Sequence, residues 1–377
     1  MNGRMARMDM GLFTAILLML GFGIVLVYSS SFAVAENRFG GADFFLTRHA
    51  LRALLAIVAL MVFVNIDYHV WGKLSNLLYL ISVILLVAVL LLPESYAVNG
   101  AKRWIFKFQV SDLARMALIL VLARSCEKAG NEIKQIKVFI NLLIKIGIIC
   151  GLVVLEPSFS ASLIIAVIGI SMLFMAGSRL LHFVALVLSA IPLMAVIALS
   201  AHYRMMRLIG FFHMSGKKDG LNYQVYQSLV GFGNGGLFGV GIGKGEQKFF
   251  YLPEPHTDFA ISILGEEIGF VGLMIVFGIF IFIIYRGMKA ALNAPDRMGQ
   301  LLAFAFTFEF TVMALFHCLV GTGLVPTTGV ALPFLSYGGM NLVFMMISMG
   351  IVLNISSQAS PIQISARSFR GERLVEA

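Results

Sequence analysis

The dominant pattern in this sequence is a series of long apolar runs separated by short polar segments. A helix needs about 20 apolar residues to cross the hydrocarbon core of a bilayer, and these runs are too long for the strands of a membrane β-barrel. Because only helices and closed barrels satisfy the backbone in lipid, the pattern predicts an all-α polytopic membrane protein with about ten transmembrane helices. The predicted spans are 11–33, 45–65, 71–92, 111–125, 136–155, 158–177, 179–201, 258–285, 300–321 and 334–356.

Composition supports the membrane class. Of 377 residues, 59% are hydrophobic and 12% are charged, which is too little charge to cover a soluble domain of this size. The net charge of +9 comes mostly from Lys and Arg in short loops, so we expect no nucleic-acid partner. The three cysteines show no spacing typical of a metal site or a disulfide framework.

The distribution of Lys and Arg predicts the orientation. Both residue types are concentrated in the segments that share a side with the N-terminus, which places both termini in the cytoplasm. We treat 1–377 as a single membrane domain with a cytoplasmic tail at 357–377. Segment 202–257 is then one large extracytoplasmic loop between the seventh and eighth helices. The N-terminal apolar run is longer than the core of a typical signal peptide, so we expect it to remain uncleaved.

The middle of loop 202–257 is rich in glycine. Gly231, Gly233 and Gly236 satisfy the pattern G-x-G-x-x-G, but no strand–helix–strand unit surrounds them. A P-loop is also excluded, because Gly245 follows Lys244 where Ser or Thr is required. The pattern predicts a tight, mobile loop, and a lid over a substrate is an alternative interpretation.

A carboxylate marks the predicted start of the eighth span. Pro253 and Pro255 stiffen the approach to Asp258, which has Ser262 and Glu266 at helical spacing after it. A carboxylate at membrane depth is a functional candidate, whereas an Asp at a helix start is also a common cap. Position alone leaves both interpretations open.

Five other positions carry candidate chemistry. Asp112 and Arg115 are spaced i, i+3, which favours a structural pair on one helix face. Glu156 either caps the sixth helix or faces a substrate groove. Arg103 and Lys107 lie in the second outer loop, where they are either solvated or form a phosphate-binding patch.

A backbone broken by glycine and proline follows the ninth span. Segment 321–339 at a membrane face is tolerable only if it is buried in protein or lines a wet cavity. It therefore predicts a cavity on the same side as Asp258.

Seven short motifs follow one another along the chain: Gly100-Ala-x-Arg-Trp-Ile105, Gln109-x-Ser-Asp-x-x-Arg115, Glu156-Pro157, Leu252-Pro-Glu-x-His-Thr-Asp-Phe259, Gly265-Glu-Glu-x-Gly269, Thr322-Gly-Leu-x-Pro326 and Leu332-Pro-Phe-x-Ser-Tyr-Gly-Gly339. With these motifs the sequence resembles the SEDS family of peptidoglycan polymerases, which includes FtsW and RodA. Segment 247–254 resembles the FtsW branch more than the RodA branch. His317 and Asn341 depart from the residues usual in the family.

The resemblance implies a glycosyltransferase of the cytoplasmic membrane that polymerises lipid II at its outer face. The donor would be glycan attached to undecaprenyl pyrophosphate, and the partner would be a class B penicillin-binding protein that crosslinks the strands. The essential carboxylate of the family maps onto Asp258. The candidate substrate-binding residues are Arg103, Lys107, Glu156, Lys248, His256, Thr257 and Ser336.

Several alternatives stay open at this level. Asp258 acts either as a general base or as a ligand of Mg²⁺ or Mn²⁺, and no cofactor is certain. A lipid II flippase and a scaffold that recruits a penicillin-binding protein are the competing functions. The role is in division or in elongation, and the FtsW-like segment favours division.

Overall fold

The computed structural model describes residues 8–93, 104–105, 108–156, 158–199, 206, 223–249 and 251–359. In this part of the chain, each of the ten predicted spans contains a helix, so the all-α fold is confirmed; the last helix begins at Asn341 and not at residue 334. The helices at these positions are α1 (Met10–Phe39), α2 (Phe44–Asn65), α3 (Tyr68–Leu91), α4 (Val110–Ala129), α5 (Ile136–Leu155), α6 (Phe159–Met175), α7 (Leu180–Leu199), α9 (Ala260–Leu292), α10 (Arg297–Gly321) and α11 (Asn341–Gln358).

Three smaller elements join these helices. A two-residue hairpin pairs β1 (Trp104–Ile105) with β2 (Phe108–Gln109) just before α4. A 3-10 helix, Gly130–Lys134, connects α4 to α5. A short helix, α8 (Tyr223–Gly235), lies in the segment predicted to be a loop.

Seven of the described helices are long and apolar enough to cross a membrane, and α6 is a shorter apolar helix. The chain is therefore a multi-pass membrane protein. Helix α4, which carries Asp112, Arg115 and Arg124, is outside these seven. Its polar residues are tolerated because other helices surround it: α4 packs against α3, α5, α6 and α10.

The core lies around α4, α10 and α11. Of the most apolar window of α11, 83% is buried in the protein, whereas the corresponding share for α3 is 22%. Helix α11 packs against α2, and α10 packs against α9. Polar side chains on α10 and α11 therefore face protein, and the apolar surface of α3 faces lipid.

Helix α9 is the least regular of the long helices. Gly269 has φ 67° and ψ −171°, so the helical hydrogen-bond ladder is interrupted there. The released carbonyl oxygens of Glu266 and Glu267 accept hydrogen bonds from the backbone N–H groups of Val240 and Gly241, both at 3.0 Å. The segment after α8 is thus docked onto the break in α9.

The glycines explain how close this docking is. A Cβ atom on Gly239 would lie 2.2 Å from the carbonyl oxygen of Glu267, and one on Gly235 would lie 2.1 Å from that of Gly265. The predicted close backbone approach is present. The prediction of a loop throughout was wrong, because the first part of the glycine-rich stretch is helical in α8.

Candidate active site

The carboxylate of Asp258 lies in a series of turns just before α9. The backbone N–H groups of Thr257 and Asp258 both donate to the carbonyl oxygen of Glu254, at 3.3 Å. Helix α9 begins at Ala260, and its N-cap residue is Phe259, which makes no side-chain cap hydrogen bond. The prediction that the helix begins at Asp258 was therefore wrong, and Asp258 is not its N-cap residue.

Asp258 is partly exposed and faces the last loop of the chain, residues 322–340. A Cβ atom placed on Gly329 would lie 3.7 Å from Asp258 Oδ2. The backbone N–H of Tyr337 donates to the carbonyl oxygen of His256 at 2.7 Å. The broken loop lies on the same side of the protein as Asp258, as predicted, and glycine at 329 leaves room beside the carboxylate. The cavity itself stays a prediction.

His317, on α10, connects the start of α9 to the loop 322–340. Its Nε2 lies 3.4 Å from the backbone N–H of Ile261, in the first turn of α9. Its Nδ1 lies 2.7 Å from the carbonyl oxygen of Val330, beside Gly329. A neutral ring with the proton on Nδ1 satisfies both contacts, because Nε2 then accepts and Nδ1 donates. His317 is therefore a positioning residue for the Asp258 turn and the loop above it.

Side chains of α2 form a wall of the site. Phe45 packs on both His256 and Tyr337, with ring centroids 4.6 Å and 5.2 Å away. The guanidinium carbon of Arg52 lies 5.0 Å from the centre of the Tyr337 ring, and His49 lies between Phe45 and Arg52 on the same helix face. Burial lowers the pKa of His256, an effect that the nearby Glu254 carboxylate opposes and Arg38 reinforces.

This wall presents nitrogen atoms that have no partner among the described residues. Both ring nitrogens of His49, one terminal nitrogen of Arg52 and Nδ1 of His256 are buried and make no hydrogen bond there. Buried polar nitrogens without a partner are unfavourable, and a bound anion would satisfy the Arg52 N–H and one N–H of each imidazole ring. The face formed by His49, Arg52 and His256, which we call the cationic wall after the Arg52 guanidinium group, is thus suited to phosphate oxygens.

Lys248 does not belong to this surface. Its side chain is fully buried, and its Nζ lies 2.6 Å from Oε1 of Glu267 and 3.2 Å from Oγ of Ser29. The predicted contact of Lys248 with pyrophosphate does not fit this placement, because the ammonium group is already paired and enclosed. Lys248 instead connects the segment before Asp258 to α1 and α9.

Glu266 and Ser262 also point away from Asp258. Glu266 accepts from the backbone N–H groups of Glu246 and Gln247 at 3.0 and 3.2 Å, and Ser262 donates to the carbonyl oxygen of Ser228 at 2.8 Å. The expectation that they share one helix side with Asp258 was wrong, because Asp258 precedes the helix. Both residues fasten α8 and its following turns to α9.

The remaining predicted residues are spread over the structure. Ser336 is buried and donates to the carbonyl oxygen of Leu332, and Thr257 is partly exposed and donates to that of Glu254. Glu156 is buried at the end of α5, while α6 takes Ser158 as its N-cap residue. Arg103 and Lys107 lie outside the described residues.

Asp112 and Arg115 lie in a buried polar cluster. Arg115 Nη1 is 3.3 Å from Asp112 Oδ1, and its Nε also pairs with Glu309 on α10. Arg115 Nη2 donates to Asn341 Oδ1 at 3.2 Å. The predicted contact between Asp112 and Arg115 is therefore present. Glu309 is a third charged member of the cluster, which the sequence did not predict.

Comparison with known proteins identifies the family of this chain. The family model described as "Cell cycle protein", for FtsW, RodA and SpoVE, matches residues 10–361. The chain belongs to the FtsW/RodA/SpoVE family. A probable peptidoglycan glycosyltransferase FtsW of Trichlorobacter lovleyi is 38% identical over 359 residues, covering 94% of each chain. Stage V sporulation protein E of Bacillus subtilis is 36% identical, covering 92% of this chain and 96% of that protein.

Solved structures show the same fold. RodA of Thermus thermophilus has a TM-score of 0.69 at 24% identity, covering 94% of this chain and 98% of that one. A chain from a structure described as "Structural coordination of polymerization and crosslinking by a peptidoglycan synthase complex" has a TM-score of 0.76 at 23% identity, covering 93% and 98%. The arrangement of helices is therefore that of other members of the FtsW/RodA/SpoVE family.

Sequence reasoning missed His49 and Arg52 in this family member. The signal was available, because an Arg inside a predicted span indicates a functional site or a buried partner. His49 and Arg52 are spaced i, i+3, which places them on one helix face. The sequence could not show that this face meets Tyr337 and His256 from distant parts of the chain.

The Lys248–Glu267 pair gives a testable prediction for this fold. Lys248→Met should lower the stability of the protein by about 3–5 kcal/mol, because it leaves the Glu267 carboxylate buried without its partner. The double variant Lys248→Met/Glu267→Met should recover most of that loss. Thermal unfolding of the purified variants in detergent measures both effects. A double variant as unstable as the single one would contradict this account of the pair.

Proposed function

We propose that this chain is a peptidoglycan glycosyltransferase that polymerises lipid II at the outer face of the cytoplasmic membrane. The supporting observation is a partly exposed carboxylate, Asp258, set beside Gly329 and close to the cationic wall. The names of the relatives in the FtsW/RodA/SpoVE family agree with this chemistry.

The reaction joins two sugars without a nucleotide. The 4-hydroxyl oxygen of N-acetylglucosamine on lipid II attacks the anomeric carbon of the growing strand, with inversion. The bond between that carbon and the pyrophosphate oxygen breaks, and undecaprenyl pyrophosphate leaves with the bonding electrons. Asp258 accepts the proton of the attacking hydroxyl as general base. Its partial exposure leaves the carboxylate accessible to the acceptor sugar.

The leaving group needs positive charge near it. The cationic wall supplies donors for the pyrophosphate oxygens: Arg52 through its guanidinium group, and His49 and His256 through ring nitrogens. Phe45 and Tyr337 pack around these groups and limit their movement. Arg103 and Lys107 are further candidates for the same role, as the family resemblance implies.

A divalent ion is an alternative role for Asp258. Among the described residues, no group of three His, Cys, Asp or Glu side chains is placed to hold a metal ion. Mg²⁺ often binds through one carboxylate and phosphate oxygens, so an ion here would depend on the substrate for most of its ligands. Removal of metal with a chelator followed by Mg²⁺ or Mn²⁺ addition distinguishes the two roles.

The two ends of the bundle support an orientation in the membrane. Contacts among Phe45, His256 and Tyr337 place the turn between α1 and α2 at the same end as Asp258. We propose that this end is extracytoplasmic and that both termini are cytoplasmic, since basic residues collect at the other end. Those residues are Lys73, Arg124, Lys128, Lys134, Lys137, Arg179, Lys289 and Arg297.

The partner we propose is a class B penicillin-binding protein with transpeptidase activity. The fold matches a chain from a structure described in terms of polymerization and crosslinking by a peptidoglycan synthase complex. A division role is supported by the several relatives named FtsW. Depletion of the protein in its own cells distinguishes the roles: filaments with unfinished septa indicate division, and round cells indicate elongation.

Polymerisation itself is tested with purified protein, its partner and fluorescently labelled lipid II. Formation of glycan polymer supports the proposal. Labelled lipid that crosses liposome membranes without polymer would overturn it in favour of transport. A lack of both activities, with partner binding intact, would favour a scaffold.

Arg52→Gln should lower kcat/KM for lipid II about 10- to 100-fold, because one charge-assisted contact with phosphate contributes about 1.5–3 kcal/mol. Arg52→Lys should recover only part of this loss, since Lys lacks the planar fork. The matched control is Arg48→Gln, one turn earlier on α2, where the exposed guanidinium stacks on Phe44 at 3.8 Å. Equal losses in Arg48→Gln and Arg52→Gln would indicate a general charge effect and contradict the assignment.

A further inference from the structure

A buried cluster of charge lies in the bundle core, apart from the cationic wall. It joins Asp112 and Arg115 of α4 to Glu309 of α10 and Asn341 of α11. The three charged residues Asp112, Arg115 and Glu309 are 4%, 5% and 2% exposed, respectively. Two carboxylates therefore share one guanidinium group in a region that water reaches poorly.

The hydrogen bonds of this cluster are incomplete. Arg115 contacts Asp112 Oδ1, Glu309 Oε1 and Asn341 Oδ1. The other carboxylate oxygens, Asp112 Oδ2 and Glu309 Oε2, are buried and have no hydrogen-bond partner among the described residues. If both carboxylates are ionised, the cluster carries one negative charge in excess and two acceptor atoms without donors.

A net charge of this kind is energetically unfavourable in a protein interior. An ion without a partner costs several kcal/mol when it is buried, and two neighbouring carboxylates relieve this cost by binding a proton. The charged groups in the described residues that interact electrostatically with Asp112 are Arg115 on its own helix and Glu309 on α10. Asn341, from α11, is neutral and already accepts from Arg115.

We propose that Asp112 and Glu309 together bind one proton, which makes the cluster electrically neutral in the folded protein. Arg115 makes its closer contact with Glu309, so we place the proton on Asp112. The site binds a proton rather than a metal ion, because among the described residues only two carboxylate oxygens of the cluster are without a partner and a hard cation needs about six oxygen ligands.

Infrared spectroscopy of the full chain in nanodiscs at neutral pH tests whether the cluster holds a proton. The wild type should show the C=O stretching band of a protonated carboxylic acid. Both Asp112→Asn and Glu309→Gln should lose it, because the carboxylate that remains then pairs with Arg115 alone. Glu132→Gln, at an exposed position in the 3-10 helix, should keep the band. Absence of the band in the wild type, or its persistence in both core variants, would overturn the proposal.

Stability against pH gives a second, independent readout. The folded state holds a proton that the unfolded carboxyl group, with a pKa of about 3.9, has released at neutral pH. Stability therefore falls as pH rises, because the folded state binds more protons than the unfolded state over that range. The unfolding temperature of the wild type should decrease from pH 5 to pH 9 relative to Asp112→Asn and Glu309→Gln. Stabilisation by sodium over potassium that both variants abolish would mean that a cation occupies the site, and would overturn the proposal.

Discussion

Asp258→Asn should reduce the rate of lipid II polymerisation by about 10²- to 10⁴-fold, the range that a positioned general base contributes. Asparagine keeps the size and most of the polarity of the side chain but does not accept the proton of the sugar hydroxyl. The measurement is the yield of glycan polymer from labelled lipid II, with the purified variant bound to its partner. Folding is checked by thermal unfolding, which should be close to that of the wild type because Asp258 is partly exposed.

Glu254→Gln is the matched control for this substitution. Glu254 lies in the same turns, its side chain is 54% exposed, and its carboxylate is 3.9 Å from His256 Nε2. Removal of that charge should change polymerisation only modestly, since the turn is held by the backbone carbonyl of Glu254. Wild-type polymerisation by Asp258→Asn would exclude both the base and the metal-ligand roles. Loss of activity in wild-type protein treated with chelator, restored by Mg²⁺ or Mn²⁺, would favour the metal-ligand role.

Gly269→Ala should destabilise the fold by about 3–5 kcal/mol, which is enough to prevent accumulation of many membrane proteins. Two effects add. A φ of 67° is unfavourable for any residue with a Cβ atom, and the extra methyl group would overpack the contact between α9 and the segment after α8. The added Cβ would lie 2.2 Å from the backbone nitrogen of Gly239, and backbone cannot move aside as a flexible side chain can. The docked segment after α8 would have to leave the break in α9.

Gly278→Ala provides the comparison on the same helix. No atom lies within 4 Å of the position of its Cβ, and no positive φ is present there. Alanine in a helix interior is more favourable than glycine, so this variant should be as stable as the wild type or slightly more stable. Thermal unfolding and the amount of folded protein extracted from membranes report both effects. Similar behaviour of the two variants would contradict the role assigned to the break at Gly269.

The positions of the spanning helices could be predicted because they depend on local composition. Each long apolar run must become a helix to satisfy its backbone in lipid, whatever lies beside it. The same reasoning failed for α8, whose 13 residues include three glycines that disfavour a helix locally. Packing of this segment against α9 and α10, through Ser228 and Ser262, compensates for its weak propensity.

Individual side chains of the candidate site were harder to assign. The motif around Asp258 indicated one important carboxylate, and the broken loop after α10 indicated a cavity on the same side. Lys248 was assigned to the substrate because it is basic and lies near Asp258 in sequence. Its actual partner, Glu267, is 19 residues away on a different element, and the pair is enclosed by the fold.

The sequence by itself determined the membrane class, the all-helical fold and the family, because hydrophobic length and short motifs are local properties of the chain. The tertiary structure decided which charges are buried and paired. Arg115 and Glu309 are 194 residues apart, and the wall beside Asp258 combines α2 with the two loops that flank α9 and α10. These partners are set by how helices pack, and the energy of a buried charge depends on its neighbours in space rather than in sequence.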